Sequence, residues 1–422
     1  MRRNGVRLCV SVEWMRAFAL TSVLLLGSYP ALAYSVLTHE AVIDSVWETR
    51  IEPLLKARFP RATSDDITKA RAYVYGGSLV QDLGYAPFSS KTFSDLAHYV
   101  RSGDFVTALL QDAQTLDEYA FALGALAHYA SDRTGHPAVN RITGLIYPKL
   151  RRKYGEVVTY EDSPSRHLST EFALDVIQVS RGLYASNAFH DFIGFEIAQS
   201  VLERAFQDTY GFPLKDLFVS EDLAIGTYRY AAGSLIPQMT KVAWTMKSKD
   251  IQKLKPSIDR SSFVYSLPRS GYEKEWGKMY RKPGIFTRLL GWIFKVIPKI
   301  GPFKAMGFRA VPPQGEQMFL QAFAATSEEY SRLLNQVRSR NLSLADVNLD
   351  TGAPTHPGEY KLADKTYVDL VETLSKKKFQ AVSPPLRRNI LAYFDKVEPS
   401  TLSAKTREQI QGLRGAASAQ TR

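Results

Sequence analysis

Two pairs of side chains stand four residues apart: His128 with Asp132, in "LGALAHYASDRTGHPAVN", and His167 with Glu171, in "SRHLSTEF". On an α-helix, positions i and i+4 project from one face, so each pair brings an imidazole and a carboxylate within reach of a single metal ion. One such pair is ordinarily a satisfied core or surface pair; its repetition on a second helix is a signal. Gly124 and Ala125, one turn back from His128, leave room beside the first helix, and Gly135 is expected to close it. His136, ahead of Pro137, is then expected just past the helix end, where a loop turns it back toward the site.

Three further residues fit the same chemistry. Asp82 follows Gly76 and Gly77 and precedes Gly84, so its carboxylate sits on a turn that approaches a ligand closely; taken alone, an Asx-turn or N-cap explains it equally well. His98, in "FSDLAHYV", taken alone reads as a core histidine. His39 lies five residues after Tyr34, and Tyr34 follows a stretch with the marks of a signal peptide: Arg2, Arg3, Arg7 and Arg16, the apolar run "AFALTSVLLLG", then "ALA". The run is too short to span a bilayer, so export with cleavage after Ala33 is expected. Cleavage would expose the α-amine of Tyr34, with a pKa near ~8, as a nitrogen ligand whose own carbonyl completes a chelate. His39 alone reads equally well as a surface residue on the first helical turn. The single cysteine, Cys9, lies within the signal, so the mature chain has neither disulfides nor thiolate ligands, and any metal site must use His, Asp, Glu, backbone atoms and water.

The elements that position these residues are helical. "THEAVIDSVWETRIEPLLKARF" offers Thr38 as an N-cap and apolar positions at Val42, Val46, Leu54 and Leu55, with Pro53 kinking or ending the first helix. Thr115-x-x-Glu118 is a capping box, and Ser163 before Pro164 opens another helix that closes at Gly182. Alternating strand runs and internal repeats are lacking, so the expected class is all-α and multi-helical. The organisation reads as a signal over 1–33, a helical domain over 34–246, a basic amphipathic segment over 247–312, and a helical C-terminal extension over 313–422 with a frayed tail and no evident chemistry. The net charge of +12 is concentrated: residues 241–310 hold 16 Lys and Arg against 4 Asp and Glu. Within it, Ile285 to Phe308 mixes large apolar residues with cations and is broken at Pro298 and Pro302, which suits a segment lying on a membrane surface; docking on the domain's own core is the alternative.

Taken together these residues resemble the zinc-dependent phospholipase C family, which shares an all-helical fold with zinc-dependent single-strand-specific nucleases. The resemblance covers about residues 34 to 200, in chain order. The N-terminal residue whose amine and carbonyl bind zinc is matched by Tyr34 where the family has Trp, and the first His by His39. The Asp and second His are matched by Asp82 and His98, and the paired motifs by His128 with Asp132 and His167 with Glu171. The His of the "HP" element is matched by His136, closer to Asp132 than the family usually has it. The resemblance implies up to three zinc ions: one on Asp82, His98, His128 and Asp132; a second on His136, His167 and Glu171; a third on Tyr34, His39 and a bridging Asp132. It also implies Asp82 as the general base. His190 and His356 match no ligand position and read as structural.

Such a site suits phosphodiesters, because zinc acidifies water and offsets the charge of a phosphodiester. The expected function is an exported phospholipase C, releasing diacylglycerol and a phosphorylated headgroup, in peripheral contact with an anionic phospholipid surface in the periplasm or outside the cell. Apolar residues such as Leu289, Leu290, Trp292 and Phe294 among cations favour lipid over a nucleic-acid groove. A single-strand-specific zinc nuclease, with nucleic acid as partner, and a non-catalytic metal-binding membrane-associated protein are the alternatives.

Overall fold

Thr115 accepts a hydrogen bond from Glu118 N (3.2 Å) while Glu118 Oε2 accepts from Thr115 N (3.3 Å), the reciprocal cap expected from the sequence. The helix it opens is the axis of the fold. In the computed structural model, which describes residues 36–85, 89–181, 195–230 and 309–420 with positions 244, 248, 249 and 252, that helix runs from Leu116 to Ile146. Every residue from Tyr119 to Asp132 is buried, so this stretch of the helix is surrounded on all sides.

In chain order the helices are α1 (Val36–Val46), α2 (Glu52–Arg58), α3 (Ser64–Gly77), α4 (Lys91–Tyr99), α5 (Ser102–Asp112), the axial α6 (Leu116–Ile146), α7 (Pro148–Tyr154), α8 (Pro164–Arg181), α9 (Gln199–Tyr210), α10 (Glu221–Tyr230), α11 (Pro313–Arg338), α12 (Lys361–Lys376), α13 (Pro384–Phe394) and α14 (Ala404–Gln420). No strand occurs among the described residues; Val347 and Pro354 form one isolated bridge. The all-α class is as expected. A π-helical turn, Trp47–Ile51, joins α1 to α2, and Pro53 stands in the first turn of α2, where its missing N–H costs nothing. Helices α1, α3, α5, α8 and α11 pack around α6, and α12 packs on α4 and α14. No described helix is long and apolar enough to cross a membrane. The expected signal, Tyr34, His190 and the basic segment from Ile285 to Phe308 lie outside the described residues.

Three local expectations are corrected. Thr38 is not an N-cap: it lies inside α1, and its hydroxyl donates to Asp175 Oδ1 on α8 (2.8 Å). The space beside Gly124 is not open; α3 fills it. A Cβ on Gly124 would lie 2.0 Å from Val74 O and one on Gly77 1.9 Å from Phe121 O, so the paired glycines let two backbones touch. The third correction matters most for the site: α6 does not end at Gly135 but continues through His136 and Pro137 to Ile146. Proline there removes the donor to Arg133 O, a loss that normally breaks a helix. The freed carbonyl instead faces the backbone of Gly352, whose φ of +71° and lack of a side chain permit the approach; a Cβ there would come within 2.3 Å of that oxygen. Packing on both sides of the proline holds the helix together where local propensity would end it.

The contacts across α3 and α6 set a stability test. Gly77→Ala should destabilise the protein by roughly 2–3 kcal/mol through backbone overpacking, seen as a lower Tm. Gly226→Ala in α10, where a Cβ meets nothing within 4 Å, should be neutral or slightly stabilising in the same thermal melt.

Candidate metal centre

Because α6 continues past Gly135, His128, Asp132 and His136 occupy i, i+4 and i+8 of one helix, spaced about 6 Å apart along its axis. The short spacing from Asp132 to His136 therefore puts both on the same face. Asp132 lies between the two imidazoles. Its Oδ2 is 2.9 Å from His128 Nε2 and 3.4 Å from His98 Nε2, while its Oδ1 is 3.6 Å from His39 Nε2 and 3.8 Å from His136 Nε2.

The other elements bring their ligating atoms to this face by named contacts. Asp82 sits in a 3₁₀ turn, Val80–Tyr85, pinned to α6 by Gln81 Nε2 donating to Ala125 O (3.0 Å). Ser94 on α4 ties that turn down: its hydroxyl accepts from Gly84 N (2.9 Å) and donates to Gln81 O. The same residue's carbonyl accepts from His98 Nδ1 (2.8 Å), leaving Nε2 directed at Asp82 Oδ1, 3.4 Å away. His39 is carried by α1, its ring stacked on that of His128 with centroids 4.6 Å apart. On α8, His167 Nε2 is 2.9 Å from Glu171 Oε1, which is 3.5 Å from His136 Nε2. Thr143 on α6 and Thr170 on α8 join hydroxyls at 3.1 Å and fix the two helices together.

Three sets of ligating atoms result, each lying within 4.8 Å of one another: His39, His128 and Asp132; Asp82, His98 and His128; and His136, His167 and Glu171. All eight described candidates are buried. Among the described residues, both oxygens of Asp82 and Asp132, Nε2 of His98 and His128, and both nitrogens of His167 form no hydrogen bond. So many adjacent buried polar atoms without hydrogen bonds require a counterpart. The backbone chooses which nitrogen faces inward: His98, His128 and His136 donate Nδ1–H to the carbonyls of Ser94, Ser78 and Leu349 and present Nε2 to the centre. Nitrogen and carboxylate donors without sulfur, oriented this way, fit zinc.

The electrostatics agree. Burial disfavours the charged form of His98, yet the carboxylates of Asp132 and Asp82 outweigh it and raise its pKa well above the usual imidazole range. Burial likewise opposes charging of His136, and Asp132, Glu171 and Asp350 overcome this and push its pKa up to about 10. For Asp132, burial is outweighed by His128 and His136, which hold its pKa well below the usual range, whereas burial dominates at Asp82 and raises it. The site attracts positive charge, so protons and metal compete for the same nitrogens and carboxylates. Zinc uptake is therefore favoured as pH rises.

Residues 38–217 match the family model for zinc dependent phospholipase C. That segment is a zinc-dependent phospholipase C domain. The domain is that of a phosphodiester hydrolase with zinc as its cofactor, and it contains all eight described candidates. No curated protein and no solved structure is found to match the chain.

Several neighbours of the candidate centre carry no local signal in the sequence. Tyr85 and Tyr160 lie 6.3 Å apart by ring centroid and flank the site, Tyr85 against His98 (6.1 Å) and Tyr160 edge-on to His167 (5.9 Å). The Tyr228 hydroxyl on α10 is buried without a hydrogen-bond partner among the described residues. Leu349 and Asp350, from the extension that reads as lacking chemistry, reach His136 directly: Leu349 O accepts from its Nδ1 at 3.0 Å and Asp350 Oδ1 lies 3.6 Å away. Only Tyr85, three residues after Asp82, is near enough in sequence to have been suspected. His356 is exposed and belongs to none of the three sets.

Removing the metal should be visible in stability. Chelation of the zinc-loaded protein should lower its Tm by about 3 °C per ion removed, since a ligand at 100 times its Kd contributes ~2.7 kcal/mol. An unchanged melting curve, with zinc loss verified by elemental analysis, would count against a resident metal.

Proposed function

We propose that this chain is an exported zinc-dependent phospholipase C that cleaves the phosphodiester of membrane phospholipids, releasing diacylglycerol and a phosphorylated headgroup. The observation that carries this reading is the bridging position of Asp132, whose two oxygens face four imidazoles at 2.9–3.8 Å at the junction of three buried donor sets. Up to three ions would be held: one by Asp82, His98, His128 and Asp132, one by His136, His167 and Glu171, and one by His39 and Asp132 with the amine and carbonyl of Tyr34. Zinc so held acidifies water and offsets the negative charge of the phosphodiester.

The chain's own residues then divide the work. Asp82 is both ligand and general base. Its two oxygens are buried and accept no hydrogen bond, so one can bind metal while the other takes the proton of the attacking water. The water oxygen forms the new bond to phosphorus, the bond from phosphorus to the glycerol oxygen breaks, and that oxygen takes up a proton. The close aromatic walls, Tyr85 and Tyr160, shield this region from bulk water. Membrane engagement falls to the basic segment around Trp292 and Phe294, where apolar side chains among cations suit an anionic lipid surface. Export rests on the charged and apolar pattern of the first 33 residues.

The decisive assay offers mixed phospholipid vesicles to protein beginning at Tyr34. Zinc-dependent release of phosphorylated headgroup is expected, and Asp82→Asn should reduce turnover at least ~100-fold while retaining most zinc. Full activity in that variant would remove Asp82 from the reaction. Zinc-loaded protein that releases no headgroup but cuts single-stranded DNA would transfer the site to the nuclease reading. A separate comparison addresses Tyr34: one extra residue ahead of it should cost one zinc ion and most of the activity, whereas equal zinc content with and without the extension would exclude the terminal amine as a ligand.

A further inference from the structure

The segment between α11 and α12 lies outside the family match, yet it touches two ligand-bearing helices and the lead-in to a third. From Ala345 to Leu362 it crosses the face of α6 that carries the site. At α4, Leu349 N donates to His98 O (3.0 Å) and Asp350 Oδ2 accepts from Tyr99 Oη (2.7 Å). At α6, Leu349 O accepts from His136 Nδ1, Asp350 Oδ1 stands behind that nitrogen at 3.6 Å, and Asp350 O accepts from Asn140 Nδ2 (2.8 Å). At the lead-in to α8, Tyr360 Oη accepts from Glu161 N (3.1 Å) and Glu161 Oε2 accepts from Leu362 N (2.8 Å).

The loop is itself locked. Tyr360 Oη donates to Asp350 Oδ2 (2.5 Å), Asn348 Oδ1 accepts from Asp350 N (2.9 Å), and Ser102 Oγ bonds both N and O of Val347. Asp350 is almost fully buried, at 3% exposure, and among the described residues its carboxylate pairs with no lysine or arginine. Leu349 O accepts the Nδ1 proton of His136 and so fixes its tautomer and ring orientation, while the carboxylate of Asp350, held by two tyrosines 3.6 Å from that nitrogen, sets a negative charge behind the ring.

We infer that Leu349 and Asp350 are positioning residues of the His136, His167 and Glu171 metal set, so that the C-terminal extension completes a metal centre whose ligands all come from the N-terminal half. The inference rests on the reading of His136 as a ligand. It makes Leu349 and Asp350, within the strap from Ala345 to Leu362, part of the working centre.

The test uses the full zinc-loaded chain, with zinc retention against graded chelator and the visible spectrum of the cobalt-substituted protein as readouts. Asp350→Ala should weaken retention of one ion about 10–100-fold while leaving the others unchanged, and should alter the cobalt spectrum. Asp350→Asn, which keeps an oxygen for the tyrosines, should recover part of that loss, and Tyr360→Phe should show a smaller loss of the same ion. Asp346→Ala is the structural control: Asp346 Oδ1 accepts from the N–H groups of Gly103 and Asp104 in the first turn of α5, so its loss should lower Tm without changing zinc retention. Wild-type retention in Asp350→Asn and in Asp350→Ala overturns the proposal, as does an equal loss in Asp346→Ala. If Asp350→Ala does not fold, Asp350→Asn decides by the same criterion. His167→Ala separates the two levels: if it keeps every ion the ligand assignment fails, whereas if it loses one ion that Asp350→Ala retains, only the positioning role fails.

Discussion

Asp132 is the carboxylate on which the arrangement depends. It is wholly buried near the middle of a 31-residue helix, with imidazole nitrogens of four histidines within 3.8 Å of its two oxygens. A buried carboxylate without hydrogen bonds is costly, and surrounding it with neutral imidazoles does not remove that cost. Protonated histidines or bound cations do. The elevated pKa of His98 and of His136 expresses the first solution, and the inward aim of the Nε2 atoms suits the second.

The fold can be read as the means of holding that carboxylate in place. Burying α6 on every side from Tyr119 to Asp132 excludes water and fixes the height of each residue along the axis. Small residues at Gly77 and Gly124 let α3 approach until the backbones touch, which brings the turn bearing Asp82 to the level of His128. Backbone carbonyls then do the orienting. They are well suited to it because a carbonyl can only accept, so an imidazole that binds one must carry its proton on that side. In this way Ser78, Ser94 and Leu349 assign tautomers without adding charge to the centre.

The region beyond residue 313 has a different place in the molecule from the one its composition suggests. Helix α11 packs along α6 and α1, Tyr330 Oη donates to Leu123 O (2.9 Å), and Tyr129 Oη donates to Ala345 O (2.8 Å). Such contacts bind the extension to the axial helix along much of its length. The support that Gly352 gives beside Pro137 has the same origin: the extension accommodates the local defect that the proline makes in the helix carrying His136. A phospholipase C domain that recruits structure from outside its matched segment would lose metal geometry, as well as stability, if that packing were disturbed.

Much of this was legible in the linear sequence. His128 with Asp132 and His167 with Glu171 declare themselves because helical geometry turns a spacing of four into adjacency, and the cap at Thr115 and the first-turn Pro164 mark where those helices start. Asp82, His98 and His39 are individually ambiguous and gain meaning only in order with the rest. Tertiary structure decided what local rules leave open or answer wrongly. Pro137 argues for a helix end, but packing on both flanks carries the helix onward and places His136 on the face of Asp132. Tyr160, Tyr228, Leu349 and Asp350 have no spacing relation to the ligands, since their proximity comes from helices crossing in space. Sequence thus determined which side chains could bind metal and which pairs share a helical face, because those relations span one or two turns; packing of distant segments decided how His128 and His136 are aimed and what stands behind them, because their partners Ser78 and Leu349 lie 50 and 213 residues away.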